Sequence, residues 1–566
     1  MTQGAGEIRW EAPGPGPWEI ESAHFPRPMP RFAREKAKEN FQIGFAEGTA
    51  RYGILLSHFE IGFVNGFWYQ QPAAFGAPKG AKGPPPAPVL WLLTRLHPGL
   101  RARIRAGAKA FDGRLWREDL KTWDTVDKPR ATARHVALVA VDPTSLDDAA
   151  LLSHLADCEQ HIGDMILLHH RYTIPCMVPT GDFLAHASEW TGRKPGEILQ
   201  TLRGSSAVSL GFSTTELAEL AAAIAADPAA KALLDGADAG AVLTALRERE
   251  GDVGVAARTF LDVVWHRAVS YNIGDKSTGE MPEILVGAIR SAVAGSNKAR
   301  PDDVKARAKA IRDLVPEAHR TRFDELLDEA RTVNRLRDER GLYADCWAIG
   351  IARRAVVEAG RRLVARGALH AATDAVDVTM DELRALFAGE TSPSADEVRT
   401  RVVWRTTKTV ADAPPFLGGQ PAGPPDAGLL PVAARRGARA IDAAITNLFK
   451  EAETTSTKAV IRGLSVNDGI YEGTARLVSD ASQFARLQQG DVLVTRATAP
   501  YFNVVLPLLG AIVTDRGGQL CHAAIVAREY GIPGVVGTKE ATALIPDGAR
   551  VRVDGTSGEV HVLGAS

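Results

Sequence analysis

The residue whose surroundings most clearly suit chemistry is a histidine where a glycine turn meets a helix. The stretch runs Thr514-Asp515-Arg516-Gly517-Gly518-Gln519-Leu520-Cys521-His522 and continues Ala523-Ala524-Ile525-Val526-Ala527-Arg528-Glu529-Tyr530-Gly531-Ile532-Pro533. The apolar run from Gly510 to Thr514 has the length and bounding residues of a buried strand. Asp515 to Gly518 then turn the chain, because paired glycines reach backbone conformations that other residues avoid. His522 opens an Ala-rich helix that Gly531 and Pro533 close. A helix N-terminus offers free N–H groups and the positive end of the helix dipole, a setting that suits a phosphate dianion. A neutral imidazole there can take a phosphoryl group and later release it. Without further context, the same residues also read as a helix-capping histidine behind a glycine turn.

Transfer of a phosphoryl group also needs fixed positive charge around three equatorial oxygens, which a rigid guanidinium supplies. Asn334-Arg335-Leu336-Arg337-Asp338-Glu339-Arg340 places arginines on a helix that runs on towards Arg353-Arg354, with Arg337 the first choice and Arg340 the second. As plain structure this is a solvated charged face with Asp338 and Glu339 as ion-pair partners. Leu168-His169-His170-Arg171-Tyr172 sets two histidines at a helix end just before Pro175, as ligands or bases, or as buried structure. Trp265-His266-Arg267 closes an amphipathic helix, and a polar loop with Asp275, Lys276 and Glu280 follows before Pro282. His169, His170, Trp265 and Glu280 are candidates for a substrate pocket. The ten tryptophans could line an aromatic pocket or simply fill the core.

The elements that must position these residues divide the chain. Residues 1–30 are a Pro/Gly/Trp-rich irregular lead-in, and 31–410 read as a mainly helical substrate domain. Its helices show in apolar spacing such as Leu217, Leu220, Ala221 and Ile224. The segment 411–458 combines a Pro/Gly-rich linker, Ala413-Pro414-Pro415 to Pro431, with a helix near 436–453. About 25 such linker residues extend on the order of 70–80 Å if polyproline-like. Residues 459–566 alternate short strands, turns and helices. Their strands are expected at Thr474–Val478, Asp491–Thr495, Ala511–Thr514, Val551–Asp554 and Glu559–Leu563. The fold class is therefore multidomain, a large mainly α-helical domain followed by a small α/β one.

At 566 residues, with 45% hydrophobic residues and a formal net charge of −1, the chain suits a globular protein with no basic excess for nucleic acid or an anionic membrane. No apolar run approaches the ~20 residues of a membrane span. The N-terminus does not read as a signal peptide. The scattered Cys158, Cys176, Cys346 and Cys521 form no C-x-x-C pair, which fits a reducing cytoplasm and no metal site.

The stretch around His522 resembles the mobile phosphohistidine domain of the phosphoenolpyruvate-utilising enzymes, whose signature is Thr-Asp-x-Gly-Gly-x-x-x-His-Ala-Ala-Ile-Val-Ala-Arg-Glu-x-Gly-Ile-Pro. The resemblance implies that His522 is the phosphorylated residue of a swivelling domain. It implies phosphate contacts from Gly517, Gly518 and Cys521, with Arg340 as a further one. Val492 to Pro500 is similar to the family strand that ends in Thr-x-Pro beside the histidine, which makes Thr498 a hydroxyl donor to the phosphate, or else the cap of a helix starting at Pro500. Where the family often has Ser-Pro-Gly, this chain has Asn467-Asp468-Gly469, and the turn is expected to survive. Glu21 to Pro28 and Asn65 to Tyr69 are similar to parts of the substrate domain in the rifampin phosphotransferase branch, or are packed aromatic loops. In the family an arginine helix like that of Arg337 faces the delivered phosphoryl group, with a lysine four residues on where this chain has Gly341. A His-Arg pair like His266-Arg267 also recurs, and His266 is the candidate general base for the acceptor hydroxyl.

Within these residues no ATP-grasp region, Walker sequence or C-terminal pyruvate-binding barrel is legible. This division resembles phenylphosphate synthase, where ATP binding and the phosphohistidine lie on separate subunits. The expectation is a cytoplasmic phosphotransferase subunit, charged at His522 by a separate ATP-grasp partner that binds ATP with Mg²⁺. It would deliver the phosphoryl group to a hydroxyl of an organic acceptor, a phenol or alcohol, with AMP and phosphate as co-products. The alternative is a non-catalytic phosphocarrier or regulatory protein. An intact phosphoenolpyruvate synthase is disfavoured by the missing barrel.

Overall fold

Apolar residues at helical spacing build the larger part of the molecule. The computed structural model describes residues 8–22, 24–206, 215–294, 302–449, 452, 455–479, 481–498, 502 and 505–565. Among its helices are Arg34–Arg51, Pro98–Asp112, Asp148–Arg171, Thr173–Thr191, Asp252–Val264, Arg320–Asn334 and Cys346–Ala365. They bury Trp123, Leu151, Leu155, Trp347 and Val356 in one cluster and Phe183, Phe323 and Leu326 in another. Two π-turns, Trp123–Asp127 and Gly341–Asp345, interrupt the stacks. Such bulges are rare and gather at functional sites, and the second directly follows Arg337 and Arg340. No helix among the described residues is long and apolar enough to cross a membrane.

A four-stranded antiparallel sheet sits at the N-terminal end, formed by β1 (Trp18–Ile20), β2 (Leu56–Val64), β3 (Phe67–Ala74) and β4 (Phe416–Leu417) in the order β2-β3-β1-β4. Asn65 (φ 52°) and Gly66 (φ 85°) make the β2–β3 turn, the left-handed pair that tight hairpins favour. The lead-in expected over 1–30 thus contains a strand, and the linker expected over 411–435 contributes another. Both are too short to carry an alternating pattern and form because a neighbour offers an edge: β1 pairs with β3, and β4 pairs with β1. The linker is also laid down on the helical unit. Ala422 N–H donates to Lys82 O at 3.3 Å, and helix Val432–Phe449 packs along Thr173–Thr191 and Pro98–Asp112. There Asp182, 1% exposed, pairs with Arg436 at 2.6 Å. The connection left between the units is residues 450–459, which reach at most about 35 Å.

The C-terminal unit holds an eight-stranded sheet of β5 (Val460–Arg462), β6 (Leu464–Asn467), β7 (Ile470–Leu477), β8 (Asp491–Thr495), β9 (Leu509–Thr514), β10 (Gly534–Val536), β11 (Ala549–Asp554) and β12 (Glu559–Ala565). Its order is β5-β12-β11-β7-β8-β9-β10-β6, with β7 through β10 parallel and the flanking pairs antiparallel. Val492, Val494, Ala511, Val513 and Val535 are its fully buried centre. Gly469 (φ 116°) turns the chain from β6 into β7. The expected architecture, a large helical region followed by a small α/β domain, is present. The two units dock: Leu217, Phe260 and Leu285 of the helical part share one apolar cluster with Phe484, Leu493 and Ile512.

Candidate active site

Strand β9 delivers the glycine loop. Asp515 N–H donates to Thr495 O at 3.1 Å and Arg516 N–H to Arg496 O at 2.8 Å, so the chain leaves the sheet alongside β8. Asp515 is buried, which raises its pKa, and it accepts the N–H of Thr542 at 2.9 Å and that residue's hydroxyl. Gly517 has φ 107°, and a Cβ there would lie 2.6 Å from Cys521 Sγ, so only glycine allows the turn to close. Cys521 N–H bonds Gly518 O at 3.1 Å, and helix His522–Tyr530 follows, ending at Gly531 in the left-handed conformation (φ 67°). Arg528, buried, braces the loop by donating to Gln519 O and Oε1, both at 2.7 Å. Gln519 Nε2 in turn donates to Ser465 O at 2.7 Å.

His522 Nδ1 lies 2.9 Å from Thr498 Oγ1, while its Nε2 is buried without a hydrogen-bond partner among the described residues. With the proton on Nδ1 and donated to Thr498, the Nε2 lone pair is the free nucleophile. Burial pushes the His522 pKa down to about 4. Asp338 opposes that shift, and the positive charges of Arg337 and His24 add to it. The ring is therefore neutral at physiological pH, the state that attacks phosphorus.

His522 faces a cavity of about 2500 Å³ between the two units, well above the roughly 300–1,000 Å³ of drug-sized sites. Thr498, Gly517, Cys521 and His522 form its floor. Much of the wall is apolar, with Phe41, Phe45, Phe59 and Trp68 among it. Polar residues line it as well, among them His24, Arg337, Asp338 and Arg340. No hydrogen bond or ion pair ties the Arg337 guanidinium among the described residues. Burial lowers its pKa, yet a guanidinium stays charged. Arg340 is held by Thr173 Oγ1 (2.6 Å) and His169 O (3.1 Å).

His169 Nδ1 meets Asp345 at 3.0 Å. Burial pushes the Asp345 carboxyl up to about 8 and the His169 ring well below its ordinary value, so this pair is uncharged near neutrality. His170 packs on Phe41 with ring centroids 3.9 Å apart. Tyr271 fills the space at Gly341, where a Cβ would come within 3.0 Å of its hydroxyl oxygen. A side chain at that position has no room here.

The structure brings His522, Thr498, Gly517 and Cys521 to one side of the cavity and Arg337, Arg340, His169 and His170 to the other. It does not bring His266, Trp265 or Glu280 there. His266 does not line the cavity. Its carbonyl packs on Gly350, and burial, with Arg354 and Arg247, holds its ring at about 4. Trp265 lies against the turn at Gly279. Glu280 is spent on Arg353, at 2.7 and 2.9 Å. Gly518 does not offer its N–H to a phosphate in this arrangement, because it donates to Leu448 O at 2.9 Å. The helix expected from Pro500 lies outside the described residues. Other residues also line the cavity: Glu21 and His24, from the stretch similar to the substrate domain but given no chemical role there, and Tyr271 and Asp345, which no motif singled out.

Comparison with known proteins agrees with this geometry. Residues 487–558 match the family described as PEP-utilising enzyme, mobile domain. The chain carries the mobile domain of the PEP-utilising enzymes. Residues 174–338, a stretch ending just past Arg337, match the rifampicin phosphotransferase fourth domain. A rifampicin phosphotransferase of Streptomyces sp is 30% identical over 394 residues, covering 66% of this chain and 42% of that protein. An uncharacterized phosphotransferase of Bacillus subtilis, YvkC, is 29% identical over 247 residues, 44% of this chain and 28% of its own. The mobile domain is also similar to phosphoenolpyruvate synthase of Pyrococcus furiosus, at 44% identity over 123 residues, 21% of this chain and 15% of that one. The chain thus spans less than half the length of each of these relatives.

Proposed function

We propose that this chain is a phosphotransferase that carries a phosphoryl group on His522 Nε2 and delivers it to a hydroxyl of an organic alcohol or phenol held in the cavity. One observation carries the reading: the free nitrogen of a neutral, oriented histidine opens onto a large, mostly apolar cavity whose facing wall holds an untied arginine. A phosphocarrier with no acceptor has no use for such a cavity. Its size and aromatic lining support an acceptor bulkier than a three-carbon acid.

The reading includes a nucleotide-binding, ATP-grasp-type subunit that charges His522 from ATP, leaving AMP and phosphate. In it the Mg²⁺ that accompanies ATP belongs to that subunit.

This chain's own part is mechanical and electrostatic. Thr498 holds the Nδ1 proton so that Nε2 is the phosphorylated atom, and Arg337 offsets the charge spread over the phosphoryl oxygens as the P–N bond breaks. The test is to incubate the chain with β- and γ-labelled ATP, alone and with a candidate ATP-grasp partner. Acid-labile label from the β position that requires the partner and vanishes in His522→Ala supports the reading. No label in any pairing removes it.

A further inference from the structure

We propose that His24, held by Glu21, is the base that takes the proton from the acceptor's hydroxyl. This rests on the phosphotransfer reading above. Glu21 N–H donates to Trp68 O at 2.9 Å, which anchors the turn after β1 to the sheet. The Glu21 carboxylate, 9% exposed, accepts the backbone N–H groups of His24 (2.9 Å) and Phe25 (3.2 Å) and meets His24 Nδ1 at 3.1 Å. That contact fixes the tautomer: Nδ1 keeps a proton for the carboxylate, and Nε2 is left with a lone pair. The ring belongs to the cavity lining together with His522, and 46% of its side chain stays open although protein surrounds it. Its charge is felt at His522, so the two imidazoles serve the same end of the cavity.

The groups around His24 explain why it, and not a neighbour, suits the task. Burial disfavours its charged form, but Glu21 outweighs this, and its pKa ends above the ordinary value despite the opposing charges of Arg337 and Arg340. His169, His170 and Asp345 feel its charge from the helices opposite. The Tyr271 ring lies 6.1 Å away. A proton arriving at His24 creates an imidazolium beside a carboxylate. One arriving at His169 would face an Asp345 that is itself protonated, and His170 has an aromatic face instead of an acid.

In the step, the acceptor's O–H bond breaks and its proton goes to His24 Nε2. The acceptor oxygen forms a bond to phosphorus as the P–Nε2 bond of phospho-His522 breaks. The electron pair of that bond returns to His522 Nε2, which leaves as a neutral imidazole with its Nδ1 proton still on Thr498. Charge balances, because the phosphorylated imidazolium loses its positive charge as His24 gains one.

The experiment loads His522 in the full chain with phosphoramidate, removes the donor, and follows phosphohistidine by phosphorus NMR across a pH series. It uses naphthol, and water alone, as hydroxyl probes. Wild type should transfer to the probe with a rate that climbs as His24 loses its proton. His24→Gln should lose about 100-fold or more and the pH limb with it, at unchanged loading of His522. Glu21→Gln should fall by less and move the limb to lower pH. Full loading also shows that each variant is folded. Transfer by His24→Gln at the wild-type rate and with the wild-type limb overturns the proposal and leaves phosphotransfer standing. So does loss of phosphohistidine, to probe or water, that ignores residue 24. A wild type that cannot be loaded takes down the phosphotransfer reading itself.

Discussion

Replacing Thr498 by valine tests the central geometric claim, that one hydroxyl decides which nitrogen of His522 is reactive. Valine keeps the shape and removes the acceptor 2.9 Å from Nδ1. The ring then has two options. It can keep a buried Nδ1–H without a partner, at a cost of about 1–3 kcal/mol. Alternatively it can move the proton to Nε2, which removes the nucleophilic lone pair. Either way the reactive tautomer is disfavoured by about 1–3 kcal/mol, a factor of about 5–150 in the rate of phosphorylation. The assay is the initial rate at which phosphoramidate loads His522, with the end-point stoichiometry as a check that the site is intact. Thr498→Ser, which keeps the oxygen, should stay within about threefold of wild type. Nitrogen NMR of the histidine ring reads the tautomer directly. Wild-type loading by Thr498→Val, with the proton still on Nδ1, would refute the reasoning.

Other predictions follow from the same contacts. Because burial holds His522 at about 4, below the ordinary 6.5, the ring is unprotonated well into the acid range. Loading should be flat from about pH 8 to about pH 5 and fall only near the shifted value; a decline centred near 6.5 would contradict this. Arg337→Ala should leave loading within about threefold but reduce transfer on the order of 10³-fold, as expected of a guanidinium that acts on the breaking bond; equal losses in both steps would show a structural role. Glu529, buried, accepts the N–H of Gly204 across the docked units at 2.7 Å, and burial pushes it up to about 7 from 4.5. The docked state therefore binds a proton that the separated state releases, and docking weakens as pH rises through about 7. Scattering or a label-to-label distance should show this change in wild type and its loss in Glu529→Gln.

How much of this the sequence disclosed depended on how local each feature is. The Gly517–Pro533 stretch specifies strand end, turn, helix start and helix stop within a few residues, and the structure has each where the residues put it. In the C-terminal unit the strands of five or more residues showed as apolar runs, whereas β2 and β3, inside the region read as mainly helical, were missed, and β5, β6 and β10, of three or four residues, exist only because neighbours pair with them. The cavity wall is assembled from distant pieces. Tyr271 comes from a loop, Asp345 from a π-turn and His24 from the turn after β1, and no spacing rule links them. His266 failed as a base for the converse reason: its neighbours in sequence looked right, but its backbone carbonyl packs against Gly350 and the residue does not line the cavity. The proline-rich segment was read for its stiffness, whereas Asp182 and Arg436 fasten the helix that follows it.

On the proposed function, the docked arrangement also bears on where the phosphoryl group would be given up. The last carbonyls of helix Val432–Phe449 have no partners within that helix. They take theirs from the phosphohistidine loop: Gly518 N–H bonds Leu448 O at 2.9 Å and Leu520 N–H bonds Asn447 O at 2.7 Å. Separated, all four groups would bond water instead, so these contacts add little affinity. The shared apolar cluster around Phe260, Leu285 and Leu493 supplies the attraction, and the loop contacts supply register. Register has a chemical consequence. A glycine loop before a helix holds phosphate through its N–H groups, and docking turns the Gly518 N–H away to a helix carbonyl. At the same time it sets His522 opposite Arg337. A phosphoryl group on His522 would thus lack that donor on the side it leaves and meet a cation on the side it approaches, a difference between the two walls that would favour transfer over return.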